Sequence, residues 1–537
     1  MINEKSKQFS SVFNSHQSRV IAIIVTFFTT LFTISVFLYL SITPSTEFED
    51  DFGVNLQDNH QGVISKIWDL KATGSGSSIG EWKSWIGLSD GRDRQKESDK
   101  IRELINVFQD RFPKDDGKAA RDLNKPSLER LADCIASNTC GEGEETVVIL
   151  ASMHFNNAVM GKTSGEDIWA RSSLEALHSL NYTLLYTFAP MDTLTLYQGL
   201  SDRVKTIIWE SIELKKCMKR NETNWESLED GHSPGKWQNT TTGRFGCVRR
   251  TGYEEGIPLE KSFTFHFWSG AENPLGAHFT LSPENYAMWN HGIGNHYLGY
   301  SIESRCKAIT LPSSKEHKGM ALGKYSKYFN TSSTEWVWGK DDILNQVVNT
   351  MPESDEKEKF ELIATIGHYE KSEVTEDHVR FHEMNNLGPL PQDEWYQTLA
   401  SSKFLVGVGK PKISPSPYDA LCFGVPFINP VLSWNRTDPD DWTKWYSQHD
   451  GLRPYGPPFV YHVQKNNKEQ LEEAMRLAIE NPIDSFIPPP MTRTAVRDRH
   501  RALVETDWKP WAIAAVKELW TDKGKEFPYL VEGRQHL

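Results

Sequence analysis

The stretch from Lys403 to Pro430, KFLVGVGKPKISPSPYDALCFGVPFINP, leaves the backbone few choices. An apolar run closes on Gly407 and Gly409, and Pro411, Pro415 and Pro417 then stop any continued strand, because proline has no N–H to give to a ladder. Ser416 is placed to cap a helix, with Pro417 at the first helical position and Asp419 three residues after the cap. A second apolar run, ending FINP, follows. The chain is expected to go from strand through a tight loop into a helix and back to a strand, the unit of a parallel sheet. Free backbone N–H groups at such a helix start favour an anion, most often a phosphate.

The same grammar recurs on both sides of this stretch. TVVIL from Thr146, TLLYTF from Thr183, KTIIWES from Lys205, FTFHFW from Phe263 and HYLGYSI from His296 are strand candidates in the first half. A helix is expected from Asp167, just after Glu166. GMALGK from Gly319, ELIATIG from Glu361, KFLVGVG and FVYHV from Phe459 serve the second half. DDILNQVVNTM and DEWYQTLASS are the helices between them, and Asn467 caps a further one. A chain of 537 residues is too long for one ordinary core, so two α/β domains are expected, with a ligand cleft at the carboxyl ends of their strands.

The formal net charge of −13 argues against a nucleic-acid binder, since no basic surface dominates. Residues 20–42 run for 23 positions without a charge, long enough to cross a bilayer and too long for a cleaved leader. Lys5, Lys7 and Arg19 precede that span, whereas Glu47, Glu49, Asp50 and Asp51 follow it. By the positive-inside rule, nearly the whole protein is then expected to be lumenal or extracellular. All six cysteines lie beyond the span, as do five N-glycosylation acceptors, Asn181, Asn221, Asn239, Asn330 and Asn435. Cys134 and Cys140 are close enough in sequence to close a small loop; the other pairings stay open. No zinc-type cysteine spacing occurs. Between residues 43 and about 140 the composition suggests a stalk, which includes the flexible ATGSGSSIG from Ala72 to Gly80. Ile101, Leu104, Ile105, Phe108 and Phe112 mark one helix face, which either packs on the body or pairs with another chain, giving a possible homo-oligomer.

The block FLVGVGKPKISPSPYDALCFGVPFINP, continued by Ser447-Gln448-His449 and PYGPPFVYHVQKNN, resembles the donor-binding region of the α-1,6-mannosylglycoprotein 6-β-N-acetylglucosaminyltransferases. Weaker echoes occur at HGIGNHYLGY, at Gly323-Lys324 and at GEDIWARSSL from Gly165, so that the resemblance spans most of residues 145–480. The stalk, the insertion over 217–260 and the C-terminal tail are not part of it. The resemblance implies an inverting glycosyltransferase of GT-B fold, with two Rossmann-like parallel-sheet domains facing a cleft. It implies UDP-N-acetylglucosamine as donor, no metal or other cofactor, and an N-glycan of a glycoprotein as acceptor.

The organisation implied is a cytoplasmic tail over 1–19, an anchor over 20–42, a stalk over 43–140, an acceptor-side domain over 141–310, a donor domain over 311–485 and a helical tail over 486–537. The setting is a Golgi membrane, with the catalytic part lumenal. Carried onto this sequence, the family's pattern makes Glu166 the candidate base. Lys324, Gly409, Ser416, Pro417, Asp419, Gln448 and His449 become donor-binding candidates. The family's ribose-holding glutamate is Asp419 here, one methylene shorter. Asp438-Pro-Asp440 spells the letters of a metal-binding D-x-D motif, but ahead of WTKWYSQH it suits a capped helix better, and the metal reading is set aside. Trp434, Trp442 and Trp445 are the tryptophans nearest the donor block. Two alternatives remain open: a transferase with another nucleotide sugar or acceptor, and a non-catalytic glycan-binding or scaffolding relative.

Overall fold

The computed structural model describes residues 91–109, 117–219, 246–289, 293–330, 336–339, 343–355, 357–367 and 384–531. The cytoplasmic tail, the anchor, the first part of the stalk, Phe112, Asn221 and Asn239 lie outside the described residues, as does the side chain of Phe108. Among the described residues no helix is long and apolar enough to cross a membrane.

Two parallel sheets organise the chain, in the α/β class expected from the sequence. The first holds β1 (Val147–Ala151), β2 (Thr183–Tyr186), β3 (Val204–Glu210), β4 (Ser262–Phe265), β5 (Thr280–Ser282) and β6 (His296–Tyr297), in the order β2-β1-β3-β4-β5-β6. All of its pairings are parallel. β1 is buried along its whole length, as a strand covered on both faces must be, and this is why it reads as an unbroken apolar run. HYLGYSI contributes only its first two residues to β6.

The second sheet holds β7 (Lys318–Leu322), β8 (Glu361–Ala364), β9 (Asn385–Asn386), β10 (Leu405–Gly407), β11 (Phe427–Ser433), β12 (Tyr446–Ser447) and β13 (Val460–Gln464). Its order is β12-β11-β10-β7-β8-β9, with β13 also paired to β11; only β12 runs antiparallel.

The helices packed among these strands include α1 (Gly91–Gln109), α2 (Asn124–Ser137), α3 (Gly165–Ser179), α4 (Glu303–Lys307), α5 (Ser416–Cys422) and α6 (Arg493–Glu505). The stalk expectation needs correction from residue 91 onward. α1 packs on α2, and Ile101 and Ile105 of the predicted apolar face are buried in the same core as β1. Ile101 and Ile105 are thereby spent within the chain, with Leu104 packed against the same core. α6, in the expected tail, returns from the second half to pack on α3 and β3, with Arg499 Nε donating to Leu298 O at 2.7 Å. Residues 89–537 accordingly form one compact unit.

All six cysteines are paired: Cys134–Cys140, Cys217–Cys247 and Cys306–Cys422, with Cα separations of 4.6, 5.0 and 6.1 Å. The last pair joins α4 to α5 across 116 residues of sequence.

Candidate active site

A cleft of about 950 Å³ opens where the carboxyl ends of β4, β7, β8 and β10 meet the start of α3. Its wall from the first half includes Ser164, Gly165, Glu166, Phe267 and Trp268; its wall from the second includes Lys324, Thr365, Trp395, Tyr396, Lys410, Lys412, Ser416 and Asp419. The two halves nearly touch at one rim, where a Cβ added to Gly165 would lie 3.7 Å from Pro415 Cδ.

The base candidate sits on a well-made helix start. Ser164 Oγ accepts from Asp167 N at 3.1 Å, and the Asp167 carboxylate accepts from Ser164 N at 3.3 Å, a complete capping box. α3 therefore begins two residues before the expected Asp167, and Glu166 stands in its first turn rather than ahead of it. Asp167 also takes a hydrogen bond from Asn157 Nδ2 at 3.1 Å and lies 2.8 Å from His154 Nδ1. Burial works against its charge, but these contacts hold it below the ordinary aspartate value. Asp167 is thus spent on structure. Glu166, half-buried, has no hydrogen-bond or ion-pair partner among the described residues and faces the cleft.

The proline-rich loop after β10 is held from behind. Gly409, at φ 104°, donates its N–H to Gln448 Oε1 at 2.7 Å, and Gln448 Nε2 donates to Pro411 O at 3.1 Å. Ile413 is held at φ 56°, a strained setting for a β-branched residue, with its N–H donating to Gln448 O at 3.1 Å. His449 Nε2 is 3.1 Å from Ser414 O; burial pushes this imidazole down to about 3, so it is neutral and its Nε2 is the donor. Gly409, Pro417, Gln448 and His449 therefore shape the loop without lining the cleft, whereas Lys324, Ser416 and Asp419 line it.

Replacing Gln448 with alanine would orphan the buried Gly409 N–H and the half-buried Pro411 carbonyl, at a cost of about 2 kcal/mol. Denaturant unfolding is expected to show that loss; an unchanged midpoint would mean that the loop holds itself.

Two expectations about caps fail. Pro415, not Ser416, is the N-cap of α5, and no side chain caps it; Ser416 is already helical and Ser414 Oγ accepts from its N–H at 3.3 Å. Asp419 does not turn back to cap its own helix, because Arg305 Nη2 on α4 claims its Oδ1 at 2.6 Å. Around Asp438-Pro-Asp440 the expected helix is a single 3-10 turn, Trp442–Lys444, capped by Asp441. Among the described residues no group of three His, Cys, Asp or Glu is placed to hold a metal.

Four lysines, Lys324, Lys327, Lys410 and Lys412, reach the cleft. Lys324 is exposed, as a point charge awaiting an anion would be. Lys412 is half-buried, donating to Ser447 O with its ammonium 3.6 Å from the Tyr446 ring centroid. Burial pushes it down to about 8. Trp434, Trp442 and Trp445 do not line the cleft; Trp268 and Trp395 do, and nothing local in the sequence marks them.

Of the remaining glycosylation acceptors, Asn435 is exposed, its Oδ1 accepting from Thr437 N at 3.1 Å. Asn330 is half-buried. Asn181 is exposed but its Nδ2 donates to Glu142 O at 3.1 Å.

The sequence model of Glycosyltransferase family 18 matches residues 259–523. This segment takes in Lys324 and the whole loop from Gly409 to His449. It extends into the tail, which the resemblance read from sequence left out, and it stops short of Glu166. The alpha-1,6-mannosylglycoprotein 6-beta-N-acetylglucosaminyltransferase A of Cricetulus griseus is 24% identical over 268 residues, 46% of this chain and 33% of its own length. The Homo sapiens A protein gives the same values. The B protein of Mus musculus is 29% identical over 276 residues, 49% of this chain and 32% of its own. The chain spans about a third of the length of these relatives. The solved UDP-GlcNAc 2-epimerase of Methanocaldococcus jannaschii aligns with 66% of this chain and 98% of its own, at 11% identity and a TM-score of 0.32, too low to bear on the fold. The family match and the names of the relatives together support a glycosyltransferase, at the level of a remote relationship.

Proposed function

We propose that the cleft binds a nucleotide sugar and that the protein is an inverting glycosyltransferase of GT-B type. It transfers N-acetylglucosamine from UDP-N-acetylglucosamine, in β-1,6 linkage, to an α-mannose of an N-glycan. The observation that carries this reading is the pairing of one uncommitted carboxylate, Glu166, with four lysines in a single cleft. The relatives' printed names support N-acetylglucosamine as the transferred sugar, the 6-beta linkage and a mannosylglycoprotein acceptor.

In this reading Glu166 takes the proton from the acceptor hydroxyl as that oxygen attacks the anomeric carbon. The bond from that carbon to the diphosphate breaks on the opposite face, and its electron pair leaves with UDP. Lys324 and Lys412 steady the developing charge. A cluster of cations meets the need that a divalent ion meets in other transferases, so transfer is expected to survive EDTA undiminished; a loss restored by Mn²⁺ would count against this part of the reading.

We infer further that residues 20–42 anchor the protein in a Golgi membrane with its body in the lumen. The pairing of all six cysteines supports an oxidising compartment.

Thermal-shift measurements on the full-length protein test the donor. UDP and UDP-N-acetylglucosamine are expected to raise the melting temperature, and GDP-sugars to leave it unchanged. Stabilisation by GDP-sugars alone would overturn the assignment.

A further inference from the structure

α4 is five residues long, yet its side chains are committed in several directions. Glu303 accepts from Arg493 N at the start of α6 at 2.9 Å, Ser304 Oγ donates to Glu175 Oε2 on α3 at 2.8 Å, and Cys306 is bridged to Cys422 on α5. α4 therefore ties the helix that carries Glu166 to the helix that carries Asp419. Arg305 lies at the centre of these ties. Its Nη2 donates to Asp419 Oδ1 at 2.6 Å, and its guanidinium carbon sits 5.5 Å from the centroid of the Tyr396 ring.

Arg305 and Asp419 do not make the two-pronged contact usual for arginine and a carboxylate. The Arg305 Nε–H is buried with no hydrogen-bond partner among the described residues, and Asp419 Oδ2 has none either. Asp419 lines the cleft, so its second oxygen is uncommitted at a ligand surface. Burial pushes the Asp419 carboxyl up, and the guanidinium offsets this only in part, leaving its value raised. Burial likewise opposes the Arg305 cation, but Asp419 and Tyr396 more than offset it, leaving its value raised. An arginine keeps its proton under ordinary conditions, so Arg305 goes on donating to Oδ1, and it is the ionised Asp419 carboxyl that offers Oδ2 as an acceptor.

We propose that Arg305 is a positioning residue for nucleotide recognition: it fixes Asp419 through Oδ1 so that Oδ2 accepts a hydrogen bond from one ribose hydroxyl of the donor. The inference rests on the nucleotide-sugar reading above and deepens it. An aspartate is too short to be sure of two hydroxyls, and a rigid single contact from a held carboxylate makes up for that reach.

The test is to titrate UDP and 2′,3′-dideoxy-UDP into the full-length protein and compare affinities. Wild type should prefer UDP by about tenfold or more, since a hydrogen bond to a charged acceptor is at stake. D419N and R305Q should bring the ratio near one, and R305K should lower it about threefold, because a lysine supplies charge without the guanidinium's fixed direction. The ratio compares two ligands on one folded protein, so a general loss of stability does not move it. A wild-type ratio in either Arg305 variant overturns the assignment while leaving the nucleotide site in place. Equal binding of the two ligands by wild type also overturns it alone, whereas binding of neither overturns the nucleotide-sugar reading itself.

Discussion

Replacing Glu166 with glutamine is expected to lower transfer by about 10²- to 10⁴-fold, the usual contribution of a positioned general base, while UDP binds as before. The glutamine keeps the shape and the helix start, because the capping box is made by Ser164 and Asp167. It removes only the capacity to accept the acceptor's proton. Asp167→Asn is the contrasting change: it leaves one acceptor oxygen where Asp167 uses two, for Ser164 N and for His154, and should cost about 1 kcal/mol of stability, with a much smaller effect on transfer. Neighbouring carboxylates in one helix turn are thereby assigned opposite roles, separable by single-turnover kinetics and melting curves. Full activity in Glu166→Gln would remove Glu166 as the base.

The second large effect concerns pH and comes from Glu284. It follows β5 in the first half and is buried, accepting from Tyr418 O–H on α5 at 3.1 and 3.2 Å through its two oxygens. Burial pushes this carboxyl from 4.5 up to about 8; the Tyr418 bond works the other way, and the negative Asp450 adds to the rise. Asp450 itself is paired with Arg453 at 3.7 Å. The folded state therefore keeps a proton on Glu284 over a range where the unfolded chain has lost it. A raised value of this kind stabilises fully below about 4.5, and the stabilisation is lost as pH rises through about 8.

Buried His449 and His500 and half-buried His296 and His462, all pushed down by desolvation to between about 3 and about 4, act with the opposite sign on the acid side of this range. The difference between wild type and Glu284→Gln cancels them. Relative to wild type, the variant should gain roughly 1.4 kcal/mol of stability per pH unit across the interval from 4.5 to about 8. Parallel melting curves of the two proteins over that interval would show that Glu284 does not hold its proton.

What the sequence made legible was local. Apolar runs bounded by glycine and proline marked most strands, since a strand buried on both faces cannot hide its composition. The loop after β10 was visible for the same reason, and with it two residues of the cleft, Ser416 and Asp419, whereas Lys324, after β7, was reached through the resemblance. Glu166 was reached through the resemblance, and the structure separates it from Asp167 by showing which carboxylate is already occupied. What stayed hidden were pairings between distant residues. Arg305 and Asp419 are 114 positions apart, and the Cys306–Cys422 bridge spans a similar distance. Neither leaves a periodic trace. The Ser416 cap was misplaced because Ser-Pro-x-Asp suits a helix start at either of two adjacent positions, and Arg305 takes the carboxylate that would have decided between them. The helices over 91–137 were taken for stalk because their charged outer faces dominate the composition, while the buried Ile101 and Ile105 face only shows its use once α2 is in place.

Hydrogen–deuterium exchange of the full-length protein with and without UDP tests most directly whether the cleft is the donor site. Protection on adding UDP is expected at the backbone amides around Lys324 and from Gly409 to Asp419, the segments that meet in the cleft from the second half. Protection confined to other segments, or none at saturating UDP, would contradict it.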